Sequence, residues 1–442
     1  MANRLRYFLP DWEDKVDPNF VFETDTFSPD RKVSEDVYAH EIFQTHQPYD
    51  GILMSRAILE KTKKYEAIKE LGAHRYLRLP KGLEVFGDCG AFSYINEATP
   101  PYKTEDVLEY YQAIGVDCGA SVDHIALDSI YVTESVEEKQ EDGTVTRKPV
   151  KRKVPLSENE RENRRQITLD NAREFIKLHT KEGYQFEAVG VAQGWTPDKY
   201  ADSVKQLLQM GYTYIALGSL ARSLESQIVN VLEAVKQTVD EFSNSPQQIR
   251  LHLFGVAKLS LVDKLPKYGV ASIDSTSHLR RAWLKSGQNY LGKDGQWYTA
   301  IRVPQSNNPK VREYVGKNGK SMDEVQRQEK RCLEMLERYD KGEVSEAELE
   351  QLLDAIVEYD NYLLRIGNDG QKLRKTYVSR KKYQRTLEDK PWKNCPCEVC
   401  QQLGIHVIIF RGLNRNRRRG FHNTWTFYQG LKSIASEQNT ES

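Results

Sequence analysis

Apolar residues in this chain come in short runs separated by polar stretches. From Tyr49 onward the runs often close on Gly, Asp or Ser, and they alternate with segments of helical period. The runs predict strands at Gly51–Ser55, Leu83–Phe86, Ser121–Leu127, Ala188–Val191, Tyr214–Leu217, Leu251–Val256 and Ala271–Ile273. The segments between them predict helices that include Thr104–Ile114, Asp198–Met210 and Leu224–Glu241. Each run is too continuously apolar to leave one face in water, which suits a parallel sheet covered by helices. Repeated at this spacing, the units predict an α/β fold, a (β/α)8 TIM-type barrel over residues 49–320, rather than an open doubly wound sheet. Residues 1–48 are polar and turn-rich and predict only an N-terminal segment.

Two insertions break the rhythm. Residues 131–155 read as a charged β-hairpin turning at Asp142-Gly143, followed by a helix whose start carries Ser157 and Glu160 as a capping box. Residues 321–366 read as a helical hairpin. Cys332, Met335, Leu336 and Tyr339 form one apolar face, and Leu349, Leu352, Leu353 and Ile356 the other. Residues 367–442 remain as a C-terminal subdomain ending in a helix.

Composition narrows the class. The 442 residues carry 29% charged side chains, a mean hydropathy of −0.68 and zero formal net charge, so a nucleic-acid partner has to be argued from local charge. No apolar run approaches the roughly 18 to 20 residues of a membrane span, and the N-terminus lacks the apolar core of a signal peptide. Six cysteines in a chain this long make no disulfide scaffold; a reducing, cytoplasmic compartment is expected, with thiolates reserved for metal.

Three of those cysteines crowd together as Cys395, Cys397 and Cys400, and His422 follows on the next expected helix. Three thiolates and one imidazole fill the tetrahedral positions that zinc prefers and leave none open, which describes a structural ion. His406 competes for the fourth position, but it opens an apolar run and reads better as a core or strand-edge histidine.

Acids stand where the expected strands end: Asp88, Asp128 and Asp274. Gln193-Gly194 and Gly218-Ser219 follow two further strands. Residues at the C-terminal ends of barrel strands face the active site. A single Asp there is commonly a cap or turn former. Three at one mouth suit nucleophile, proton-transfer and anchoring roles, the arrangement glycosidic chemistry uses.

Basic residues cluster on both sides of the cysteines. Lys372, Arg374, Lys375, Arg380, Lys381, Lys382 and Arg385 precede them; Arg411, Arg415, Arg417, Arg418 and Arg419 occupy what reads as a loop leading to His422. Tyr377, Tyr383 and Trp392 interleave as candidate stacking groups. A zinc-anchored basic loop is expected to bind phosphates.

Several of these motifs, in this order, resemble the tRNA-guanine transglycosylase family. Asp88-Cys89-Gly90-Ala91-Phe92 resembles the family's Asp-Ser-Gly-Gly-Phe. Val189 to Gly194 resembles its Val-Gln-Gly segment, Gly218-Ser219-Leu220 its Gly-Gly-Leu turn, and Gly269 to Asp274 the run ending in its nucleophile. The cysteine cluster with His422-Asn423 resembles its zinc signature. The resemblance implies that Asp274 attacks C1′ of a guanosine and holds a covalent glycosyl intermediate. It implies that Asp88 moves protons, and that Asp128, Gln193, Gly218, Ser219 and Leu220 contact the base. Departures at Cys89, Ala91, Ser93, Ser219 and Ser275-Thr276-Ser277-His278, with the helical hairpin, are similar to the divergent DpdA branch that inserts 7-deazaguanines into DNA. The implied partners are DNA, a free 7-deazaguanine base such as 7-cyano-7-deazaguanine, and proteins that open or deliver the DNA. The rival expectations are tRNA as the polymer, or a non-catalytic zinc-stabilised nucleic-acid-binding subunit. A carboxylate glycosidase gives the zinc signature no role.

Overall fold

The computed structural model describes residues 4–10, 13–62, 64–139, 145–242, 249–284, 287–307, 309–317, 321–364 and 380–440. The chain divides into two compact units: Met1–Trp12 with Tyr49–Ser275 and Ile434–Ser442, and Glu13–Pro48 with Thr276–Ser433.

The first unit is a closed barrel of eight parallel strands: β1 (Arg6–Pro10), β2 (Gly51–Ser55), β3 (Glu84–Asp88), β4 (Cys118–Ala120), β7 (Glu187–Ala192), β8 (Tyr214–Leu217), β9 (Arg250–Leu253) and β10 (Val270–Asp274). β1 closes the ring between β10 and β2, pairing Tyr7 with Ile273 and Leu9 with Ile52. Only Tyr7, Phe8 and Leu9 are apolar there, between Arg6 and Pro10, too short a run to stand out in a polar segment. Inward side chains fill the barrel, among them Phe8, Leu53, Phe86, Val191 and Tyr214. Helix Thr104–Ile114 lies against β3 and β4 because Gly87 and Gly119 make room. A Cβ at either would come within 2.7 or 2.5 Å of the Tyr111 ring.

β4 ends seven residues before the expected strand does. Residues 121–127 leave the sheet; Ile125 is buried with Cys89, Ala91 and Tyr94, Leu127 packs against the same cluster, and helix Glu158–Glu182 covers the backbone. That helix supplies partners for the unladdered backbone: the Thr168 hydroxyl accepts from His124 N–H, and Asn171 Nδ2 and Arg164 Nη1 donate to the Val122 and Ile125 carbonyls. It starts at the expected Ser157–Glu160 capping box. The charged hairpin is β5 (Ser129–Lys139) paired with β6 (Val145–Pro155); its expected turn, Asp142-Gly143, lies outside the described residues.

The second unit holds the helical hairpin, Met322–Asp340 and Glu346–Leu364, with Cys332, Leu336, Leu352, Leu353 and Ile356 buried. It also takes residues 276–320, expected in the barrel, and 13–48, expected as a separate segment. Residues 13–48 are held by polar contacts and by scattered buried apolar side chains, Val16, Tyr38, Ala39 and Phe43, whose spacing follows no helix or strand period, which is why no periodic signal marks them. Arg411 and Arg415 pair with Asp25, and Arg418 donates to the Asp17 carbonyl at 3.0 Å. Among the described residues, no helix is long and apolar enough to cross a membrane.

Candidate active site and metal centre

Three carboxylates gather at the C-terminal mouth of the barrel, but only two are the expected ones. Asp274 closes β10 and is 6% exposed. Its Oδ1 accepts from His252 Nε2 at 3.0 Å and from the Gly255 N–H at 2.9 Å. Among the described residues no donor reaches Oδ2, so this is the oxygen left free to react. His252 is itself fixed: its Nδ1 lies 2.6 Å from Ser272 Oγ, which lies 2.5 Å from the Tyr214 hydroxyl. With Nε2 donating to Asp274, Nδ1 accepts, and a buried chain runs from β8 through β9 to the carboxylate.

Asp88 closes β3. Burial and the neighbouring Asp123 push its pKa up to about 7, with a further contribution from Asp274; backbone N–H groups of Gly90 and Cys89 oppose the rise. A carboxyl poised near neutral pH both gives and takes a proton.

Asp123 is the third acid, and the strand-end reasoning missed it. It lies three residues past β4, 5% exposed, with ligand atoms of Asp88, Cys89 and Asp123 all within 4.8 Å of one another. Its Oδ2 accepts from Gln193 Nε2 at 2.6 Å and its Oδ1 from the Cys89 thiol at 3.0 Å. Burial raises the Cys89 pKa, so the thiol stays protonated and donates. Gln193 Oε1 accepts from Ser219 Oγ at 2.6 Å, which fixes which way the amide points. Gly218 leaves space for that amide: a Cβ there would lie 2.2 Å from Gln193 Nε2. Ser219 follows with φ +63°, in the left-handed region.

Asp128 is corrected. Its side chain is 86% exposed and pairs with Arg161 at 2.8 Å, outside the Asp123–Gln193 cluster. The reason is the early end of β4: the barrel mouth comes at Asp123, and Asp128 falls at the root of the hairpin.

In the second unit, Cys395, Cys397, Cys400 and His422 are all buried, and His422 Nδ1 lies 3.5, 3.4 and 3.3 Å from the three Sγ atoms. Zinc–sulfur and zinc–nitrogen bonds of ordinary length at tetrahedral angles put S and N about 3.5 Å apart, so the donor set fits one ion with no open position. His422 Nε2 donates to the Leu291 carbonyl at 2.8 Å, leaving Nδ1 as the ligand atom. Cys397 caps helix Glu398–Leu403, and its Sγ accepts from the Cys400 N–H at 3.4 Å. His406 lies elsewhere, against Phe22 and 3.4 Å from Arg415 Nη2, and takes no part.

No model of a known protein family matches the chain. A curated relative, the DNA-guanine transglycosylase of Salmonella montevideo, is 35% identical over 99% of this chain and the whole of its own length. The chain belongs to the DNA-guanine transglycosylase family. Cys89, where the tRNA-guanine transglycosylase motif has a serine, donates its thiol to Asp123 at 3.0 Å. Ser219, in place of a glycine, adds the bond that orients Gln193.

The basic cluster needs the larger correction. Arg415, Arg418 and Arg419 are at most 1% exposed and lie in the first turns of helix Leu413–Thr440, not in a loop. Arg419 donates to the Val407, Ile409 and Ala282 carbonyls, and Arg415 to the Phe22 carbonyl. Arg417, one-quarter exposed, pairs with Asp14 at 3.0 Å and donates to the Lys15 carbonyl. These side chains hold the unit together, and the three buried ones direct their donors to the protein's own carbonyls. Tyr383 and Trp392 are likewise buried: the Tyr383 hydroxyl accepts from the Arg302 N–H at 3.3 Å, and Trp392 Nε1 donates to Asp340 at 2.9 Å. Lys381 and Lys382 are exposed on helix Arg380–Asp389, with Lys382 beside Arg385, Trp297 and Tyr298 in a groove of about 370 Å³. Lys372, Arg374, Lys375 and Tyr377 lie outside the described residues.

Proposed function

We propose that this chain exchanges guanine in DNA for a 7-deazaguanine, 7-cyano-7-deazaguanine in particular, through a glycosyl intermediate on Asp274. The observation that carries the reading is the set of three carboxylates at one barrel mouth, each held differently. Asp274 has one oxygen anchored and one free, which suits a nucleophile at C1′. Asp88, with a pKa near neutrality, protonates the departing guanine and takes a proton from the incoming base. The two half-reactions balance: the C1′–N9 bond breaks as the C1′–Oδ2 bond forms, and the second step reverses this with the new base.

Asp123 and Gln193 read the base. Guanine offers N1–H and N2–H donors on its Watson–Crick edge, and a buried carboxylate oriented by Gln193 and Cys89 accepts them. A 7-deazaguanine keeps that edge and differs at position 7, so one pocket serves both bases. Gly218, Ser219 and Leu220 shape the pocket, the first two by placing Gln193. Phe92, 56% exposed directly after the Asp88 loop, offers a ring face for stacking.

Cys395, Cys397, Cys400 and His422 would hold a zinc ion, which stabilises their unit and takes no part in the exchange. Lys381 and Lys382 contribute to polymer binding. None of the six cysteines is paired in a disulfide, which supports a cytoplasmic setting.

The test offers labelled guanine with duplex DNA, single-stranded DNA or tRNA. Label is expected in DNA. Incorporation into tRNA alone would assign the RNA reaction, and incorporation into none would assign a non-catalytic binding subunit.

A further inference from the structure

The buried arginines leave the polymer without its expected anchor, and the barrel unit offers another. A groove of about 420 Å³ opens beside the guanine cluster, a size suited to a nucleotide. Its inner end is Gly194, next to Gln193, and Ser219, whose hydroxyl bonds Gln193. Its outer end is the root of the hairpin, where Tyr131 and Lys153 pair across β5 and β6. Tyr131 is 50% exposed. Trp195 forms a wall, held with the Arg161 guanidinium 5.0 Å and the Lys199 ammonium 5.2 Å from its ring centroid.

Charge distinguishes this groove. Two of the hairpin's acids neutralise particular partners: Glu137 pairs with Arg147 at 3.0 Å and Glu134 lies 3.8 Å from Arg152. Lys151, Lys153 and, across the groove, Arg222 have no acidic partner among the described residues. Lys151 and Lys153 project from one hairpin face, about 6.8 Å apart, a separation comparable to successive phosphates in an extended strand. The groove's acid, Asp128, is paired with Arg161 at 2.8 Å, which offsets its charge.

We propose that this groove binds the nucleotide next to the exchanged guanosine in the same strand. Its base stacks on Tyr131, and its phosphates lie between Arg222 and the Lys153–Lys151 face of the hairpin. The inference rests on the proposed DNA exchange and adds a second contact site to it, continuous with the guanine pocket through Ser219. Flipping a guanine out of a duplex exposes its neighbours, and stacking one of them offsets part of that cost.

The test measures guanine exchange by the full chain on single-stranded oligonucleotides holding one guanine, with normal neighbours or with an abasic nucleotide on its 5′ or 3′ side. Tyr131→Ala is expected to lower kcat/KM on the normal oligonucleotide by about 5- to 100-fold, chiefly through KM. Tyr131→Phe, which keeps the ring, should restore it. One of the two abasic oligonucleotides should cost the wild type a similar factor, and on that one Tyr131→Ala should add less than about 2-fold. The double variant Lys153→Ala/Arg222→Ala should flatten the log–log salt dependence of binding by about 1.4 to 1.8. Circular dichroism melting controls for folding, which these exposed positions should leave intact. Losses that multiply on both abasic oligonucleotides, an unimpaired Tyr131→Ala, or a Tyr131→Phe as weak as the alanine would overturn the groove. Those results differ from failure of the functional reading, in which the wild type itself exchanges no guanine in DNA and both inferences fall.

Discussion

Replacing Arg419 by alanine separates a structural arginine from a phosphate-binding one. The side chain is fully buried, and its guanidinium donates to three backbone carbonyls: Val407 at 3.1 Å, Ile409 at 3.1 Å and Ala282 at 2.7 Å. It also bonds Asn416 and lies 5.1 Å from the Phe410 ring centroid. Alanine leaves three buried acceptors without a donor, each worth about 1–3 kcal/mol, in place of a large side chain. Relaxation and water entry return part of that, so a loss of about 3–5 kcal/mol is expected. For a unit of roughly 200 residues this corresponds to a fall in melting temperature of about 6 to 15 °C. The assay is thermal melting by circular dichroism, paired with DNA binding by the fraction still folded at low temperature. The salt slope of that folded fraction should match the wild type, because no phosphate contact has been removed. A variant that melts within about 1 °C of the wild type but loses a unit or so of salt slope would refute the reasoning and restore Arg419 to the nucleic-acid surface.

Purified protein is expected to carry about one zinc per chain, and Cys397→Ser or chelation should cost about 3 kcal/mol or more of stability; metal-free protein that melts like the holo form would contradict this. Guanine release should decline as pH rises through about 7, because the raised Asp88 pKa keeps the acid protonated below that value, and the residual rate of Asp88→Asn should lack this limb. The stability sign is the same: folded Asp88 binds its proton more tightly than the unfolded chain, so its contribution is full below about pH 4 and is lost as pH rises through about 7, a trend that Asp88→Asn should remove from melting curves. His252→Phe, which breaks the bond to Asp274, should lower kcat by about 10- to 100-fold with little change in DNA affinity; a loss confined to KM would assign His252 to binding instead.

What the sequence disclosed follows from where the signal is local. Six of the eight barrel strands announce themselves because a strand covered on both faces must be continuously apolar. Of the other two, β1 offers only Tyr7, Phe8 and Leu9, and β4 is just Cys118–Ala120. Residues 121–127 look the same as a strand because burial against the Cys89–Tyr94 segment demands the same apolar content as burial in a sheet. That ambiguity moved the expected mouth from Asp123 to Asp128. The Cys395–Cys397–Cys400 spacing was legible because the ligands are near neighbours, and His422 was preferred to His406 because His406 opens an apolar run; the structure brings His422 to the three thiols. The arginines before His422 misled for a physical reason: a run of cations reads the same whether solvent, phosphate or backbone carbonyl receives its donors. His252 gave no signal of its own, as one histidine within an apolar strand; only its bonds to Ser272 and Asp274 distinguish it.

The most direct test of the central claim is whether Asp274 carries the sugar. The protein is incubated with a guanine-containing oligonucleotide, released guanine is washed away, and the mixture is quenched in denaturant for intact-mass and peptide mass spectrometry. The account predicts a species heavier by one oligonucleotide less guanine, mapped to the peptide holding Asp274 and absent in Asp274→Asn. An adduct on Asp88 or Asp123, or full exchange by Asp274→Asn, would contradict it.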